Sequence, residues 1–160
     1  MGSVGPFGID YTHTSTVQEF GLGDLSWGKN GLFQYVQANG AITAYDAVKV
    51  DNDGQAAPLT TAISAAEPTA VGAAQVAFAD NEYGWVFRGF GGGLGKGIKV
   101  RVLIAMDAAN KLYTTITPGV LDDAATDCVQ NVAYVTTNAS GATEAGEIYA
   151  VGMMVTNCQD

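Results

Sequence analysis

The chain is short of charge. Asp, Glu, Lys and Arg make up only 14% of its 160 residues, where a typical globular domain carries about 25%. Cations are scarcest: seven Lys and Arg face sixteen Asp and Glu, for a net charge of −9. So few cations cannot neutralise a run of phosphates, which argues against a nucleic-acid partner. An anionic membrane surface would repel the chain for the same reason. No run of about 18 apolar residues is present to span a bilayer. Met1 to Asp10 lacks a basic segment followed by an apolar one, so no secretory signal is expected at this start. His13 is the single histidine, and Cys128 and Cys158 are the only cysteines. Two cysteines thirty residues apart fit neither a zinc knuckle nor a disulfide scaffold. Metal and cofactor chemistry are thus poorly supplied, and neither a metal nor a cofactor is expected. The two cysteines are expected as buried free thiols, a single late disulfide being the alternative.

Apolar residues are plentiful at 48%. That is ample for a core, so disorder is disfavoured. The length suits one domain, which should bury roughly 70% of its unfolded surface. A folded chain with so few charges presents much surface not meant for free water.

Residues 1–31 read as an irregular, Gly-rich N-terminal arm, and 32–160 as a single β domain. The arm holds Gly2, Gly5, Gly8, Gly21, Gly23, Gly28 and Gly31 with scattered apolar residues, and no helical or strand period links them. Its aromatics need cover, from their own domain or from a neighbouring subunit or another protein. Phe7, Tyr11, Phe20 and Trp27 are the candidate partner or subunit contacts. In the second case, deleting residues 2–26 should leave the domain folded and abolish binding.

From residue 32 the period becomes two. Ile98, Val100, Val102 and Ile104 alternate with Lys99, Arg101 and Leu103, a half-buried strand. Ile42, Ala44, Val48 and Val50 line one face of another, and Tyr83, Trp85 and Phe87 share a face of a third. Stretches 32–37, 71–79, 112–116, 128–137 and 147–155 also read as strands. The last is apolar on both faces, which places it centrally or at a subunit contact. Asn39-Gly40, Asp51 to Gly54, Asp80-Asn81, Asp107 to Asn110, Pro118-Gly119 and Ser140-Gly141 supply turns at short intervals. Short, evenly spaced strands predict an all-β fold, a compact sandwich or small jelly-roll-like barrel. Pro58 and Pro68 confine any helix in the alanine-rich stretch between them to about two turns.

Chemistry-bearing patterns mostly fail. Before Gly95-Lys96 a P-loop would put Gly at Phe90 and Ser or Thr at Gly97, so residues 89–97 read as a flexible connection between two strands, the alternative being a loop that conforms to a partner surface. Asp51-Asn52-Asp53-Gly54 opens like a calcium loop, but Gln55 and Ala56 break it. Asp122, Asp123 and Asp127 cluster without a basic partner, and read as a solvated loop. His13 has no nucleophile elbow to serve. Asn138-Ala139-Ser140 matches a glycosylation acceptor too short to carry weight. Trp85 reads as core; Trp27 sits at the junction of arm and domain. No catalytic residue emerges, and an enzyme is not expected. A glycosidase-like pair from Asp122 and Asp127 is the one familiar chemistry left.

Two stretches carry a resemblance. Residues 31–50, Gly-Leu-Phe-Gln-Tyr-Val-Gln-Ala-Asn-Gly-Ala-Ile-Thr-Ala-Tyr-Asp-Ala-Val-Lys-Val, resemble tailed-phage capsid decoration (cement) proteins. So do residues 71–86, Val-Gly-Ala-Ala-Gln-Val-Ala-Phe-Ala-Asp-Asn-Glu-Tyr-Gly-Trp-Val. The resemblance implies a structural virion protein, a small β domain and often a homotrimer. Such a protein sits on the outer surface of an HK97-type head, binds the major capsid protein and bridges capsomers. The competing expectation is a carbohydrate- or receptor-binding β-sandwich module, with Tyr35, Tyr45 and Tyr134 stacking on sugars.

Overall fold

The computed structural model of the chain describes residues 4–5, 8–64, 69–103, 111–123, 128–134 and 143–156. The first half holds β1 (Val4–Gly5), β2 (Gly8–Ile9), β3 (Thr14–Ser15), β4 (Leu25–Gly28), β5 (Gly31–Ala38), β6 (Ala47–Val50) and β7 (Gln55–Pro58). One helical turn, α1 (Thr61–Ser64), precedes β8 (Thr69–Ala74), β9 (Tyr83–Gly89), β10 (Gly91–Gly92) and β11 (Lys99–Val102). Then follow β12 (Leu112–Thr114), β13 (Leu121–Asp122), β14 (Cys128–Tyr134) and β15 (Glu144–Thr156). The fold is all-β, as the period-two patterning predicts.

Five strands close a barrel. β5 pairs with β9, β9 with β8, β8 with β6 and β6 with β7, all antiparallel. A parallel pairing of β7 with β5 completes the ring. Its interior is built from small side chains: Val36, Ala38, Val48, Val50, Ala56, Ala74 and Val86, with Ile42 and Phe78. Gly72 and Gly84 share that face. A Cβ on Gly72 would lie 3.0 Å from Val86 Cγ2, and one on Gly84 2.7 Å from Phe78 Cε1. So narrow a barrel has no room for larger residues there.

The opposite faces of the same strands carry the large residues. Phe33, Tyr35, Val71, Trp85 and Phe87 join Ile98, Val100, Val102, Leu112, Leu121, Val129, Ile148 and Met153 in a second core. This core lies between the barrel and a curled sheet ordered β15–β11–β13–β12–β14, whose last strand returns to β15. The thirteen-residue β15 pairs with β8, β10, β11 and β14. Its central place accounts for an apolar pattern on both faces.

Several expectations change in detail. The stretch read as one strand from Ile42 to Val50 is broken, because Tyr45 adopts φ 69° and residues 43–46 turn. Strand 71–79 ends at Ala74, where the Gln75 amide replaces backbone pairing by bonding Lys99 N, Lys99 O and Ala73 O. The described part of the arm is no free extension. β4 pairs with β5, β2 with β4, and β3 with β9. Strands of two to four residues joined by turns leave no readable period, which is why the sequence there looks irregular. Residues 135–142, Asp127 and both cysteine side chains lie outside the described residues, and so do the expectations placed on them.

Candidate functional site

The four arm residues have different fates. Phe7 lies outside the described residues. Tyr11 stacks on Phe33, ring centroids 4.5 Å apart and planes 8° from parallel. Phe20 meets Tyr35 and Trp85, each at 5.2 Å. Glu19 N donates to the Tyr35 hydroxyl at 3.0 Å, and Tyr35 N to the Asp24 carbonyl at 2.8 Å. Burial raises the Tyr11 and Tyr35 hydroxyl pKa values above their ordinary range. Tyr11 and Phe20 thus cover their own domain, and Trp27 alone of the described three stands outside.

Trp27 belongs to an exposed apolar strip. In β4 Leu25 pairs with Gln34 and Trp27 with Leu32, and directly paired antiparallel residues share a face. Beside them run Phe90 and, from β15, Val151 and Met153. Leu25 and Trp27 are each 61% exposed, Phe90 54% and Val151 51%. The Trp27 and Phe90 rings meet edge to face at 6.3 Å. Leu94 and Tyr149 are also exposed. A groove of about 410 Å³ opens within the strip, lined by Leu25, Leu32, Gln34, Arg88, Phe90, Val151, Gly152 and Met153.

Two backbone irregularities shape this surface. Leu32 pairs with Gly89 and Phe33 with Phe87, so Arg88 is an extra residue in β9, a bulge that turns it toward the groove. Phe90 sits at φ 55°, a costly conformation for a bulky side chain. The glycine-rich run around it is held, not loose. A Cβ on Gly91 would overlap the Asn30 carbonyl oxygen. The Glu147 carboxylate accepts hydrogen bonds from Gly95 N and Gly97 N, both at 2.8 Å. These two N–H groups hold the Glu147 pKa below the ordinary glutamate range.

Other polar groups do structural work. Asp46, buried, accepts from Thr43 N at 2.8 Å and from Arg101 Nη1 at 2.6 Å, tying β6 to β11. Asp51 closes its turn beside Lys49, at 3.1 Å. His13 Nε2 lies 3.7 Å from Glu19 Oε1. Asp122 Oδ1 accepts from Asp123 N. Among the described residues, no three His, Cys, Asp or Glu side chains gather as a metal site would need. Tyr35 is only 2% exposed, which removes it as a sugar-stacking platform. Tyr45 instead has Lys99 Nζ over its ring at 5.7 Å.

The sequence singled out Trp27; the 89–97 run was a partner contact only as the alternative reading, and β15 was expected centrally or at a subunit contact, with neither Phe90 nor Val151 named as a contact. Phe90 was hidden in a run read as a connection. The double apolar pattern of β15 was the one signal for Val151 and Tyr149. No model of a known protein family matches the chain, and no curated protein sequence matches it.

Proposed function

We propose that the chain is a structural protein that works by docking, and that the strip through Leu25, Trp27, Phe90 and Val151 is its contact surface. The observation that carries this reading is the strip itself. Four large apolar side chains, each more than half exposed, stand together: Leu25 and Trp27 on β4, Val151 on β15, and Phe90 at the step between β9 and β10. Scattered exposed apolar residues need no explanation, but a contiguous group marks an interaction surface. Tryptophan and arginine, both present here as Trp27 and Arg88, are residue types that anchor interfaces.

The assembly we propose as partner is a tailed-phage head, with the chain on its outer surface as a decoration protein touching the major capsid protein and copies of itself. The support is the resemblance of residues 31–50 and 71–86, which contain β5, β6 and most of β8 and β9, four of the five barrel strands. An acidic chain suits a place away from packaged DNA, and many weak contacts reinforce a shell through multivalency.

Co-sedimentation of the chain with undecorated heads tests the surface. Trp27→Ser combined with Val151→Ser should abolish binding and shift Tm little, because both residues are exposed. Undiminished binding would remove the strip from the interface. Binding of this chain to glycans that is lost in Trp27→Ala would replace the docking reading with the carbohydrate one.

A further inference from the structure

We infer that the groove beside Arg88 is a carboxylate-binding site whose occupant is an acidic side chain of a protein partner, presented between apolar neighbours. The inference deepens the docking reading and rests on it. Arg88 is half-buried at the groove, one terminal N–H donated to Gln34 Oε1. That oxygen is neutral. Arg88 Nε is buried and, among the described residues, has no hydrogen-bond partner. Among the described residues no Asp or Glu lines the groove, whose other walls are largely Leu25, Leu32, Phe90, Val151 and Met153. Burial alone lowers the Arg88 pKa, with no acidic neighbour opposing it.

An unpaired buried cation is costly, and chains normally pair one. This chain does so elsewhere: Arg101 meets Asp46 at 2.6 Å and Lys49 meets Asp51 at 3.1 Å. Nor are anions scarce, with sixteen carboxylates for seven cations. The missing counter-ion at Arg88 is therefore a feature of the place, not of the composition. A guanidinium presents a flat fork of donors that matches a carboxylate. With Nη1 on Gln34 and Nε buried, Nη2 is the donor group left for the groove, and one such group among apolar walls suits a monoanion on an apolar stem better than a phosphate, which needs more donors. The strip also continues beyond the groove to Trp27. A small free acid would leave that ring uncovered, whereas a protein segment would cover it.

The test uses the full chain and sodium hexanoate as probe, with hexanamide as its uncharged counterpart. NMR follows the Arg88 Nε–H and Trp27 indole signals. Millimolar hexanoate should move the Arg88 signal to saturation, hexanamide should not, and Arg88→Gln should abolish the Trp27 response to hexanoate. Arg88→Met should raise Tm, since it removes an unpaired charge without opening a large void. Equal responses to both probes, no response to hexanoate, or a lower Tm for Arg88→Met would each overturn the site. If hexanoate fails while Trp27→Ser still loses head binding, docking stands and this inference falls. If hexanoate binds Arg88 while the strip variants dock normally, the docking reading falls and the occupant is a small acid. An oligomer of the chain that dissociates on Arg88→Gln would make the occupant a second copy and overturn the assignment to a different partner.

Discussion

Asp46 has a carboxyl that burial and pairing pull in opposite directions. Burial is the larger effect and raises its pKa above the ordinary 3.8, against the hydrogen bond from Thr43 N and the Arg101 guanidinium. A carboxyl whose pKa is higher in the folded state binds its proton more tightly there. Its contribution to stability is fully present below the unfolded pKa and is lost as pH rises through the folded one. Relative to Asp46→Asn, which does not titrate, the wild-type chain should lose unfolding free energy as pH rises above 3.8. Urea unfolding across that range measures it, and the opposite slope would mean that the Arg101 pair dominates. Gly119 packs against the same carboxyl. It sits at φ 74°, and a Cβ there would overlap the Asp46 side chain. Gly119→Ala should cost at least about 2 kcal/mol, combining backbone strain with displacement of a buried group.

At the scale of elements, the arm illustrates what a sequence hides. Tyr83, Trp85 and Phe87 were legible as one face of a strand because the five residues from Tyr83 to Phe87 pair with β5 in unbroken register and preserve the alternation. Residues 8–28 were not, because three strands of two to four residues each restart the pattern. Tyr11 and Phe20 still found the core. Phe20 closes over Tyr35 and Trp85, so Phe20→Ala should destabilise the domain by about 2–3 kcal/mol and change Trp85 fluorescence. Deleting residues 2–26 would strip that cover from Tyr35 and Trp85 and remove half of β4, one of the three strands that pair with β5. The arm's loss should therefore impair folding itself, which changes the expectation that the domain would survive it. Calorimetry of Phe20→Ala is the cleaner measurement, and an unchanged Tm would show the arm to be dispensable to the core. The alanine-rich strand 71–79 was overextended for another reason: nothing in its composition shows that the Gln75 amide takes over the hydrogen bonding at Lys99.

The molecule as a whole joins a closed barrel with a small-residue interior to a curled sheet, through a core of large residues. The all-β class was readable from period and turns. Closure was not, because the parallel β7–β5 pairing joins Gln37 to Gln55 and Ala38 to Ala56, residues of no distinctive type. The contact surface was half readable. Trp27 was visible as an aromatic at a junction, but apart from the adjacent β5 its neighbours come from residues 88–90 and β15, distant in sequence and brought beside β4 by strand pairing and the bulge at Arg88. Low charge and an exposed apolar strip suit a protein that spends its working life against a partner. The most direct test is the copy number of this chain in gradient-purified phage particles from its source, by quantitative mass spectrometry against the major shell protein. The decoration reading predicts a fixed ratio approaching one copy per shell subunit. A handful of copies per particle, or none, would contradict it.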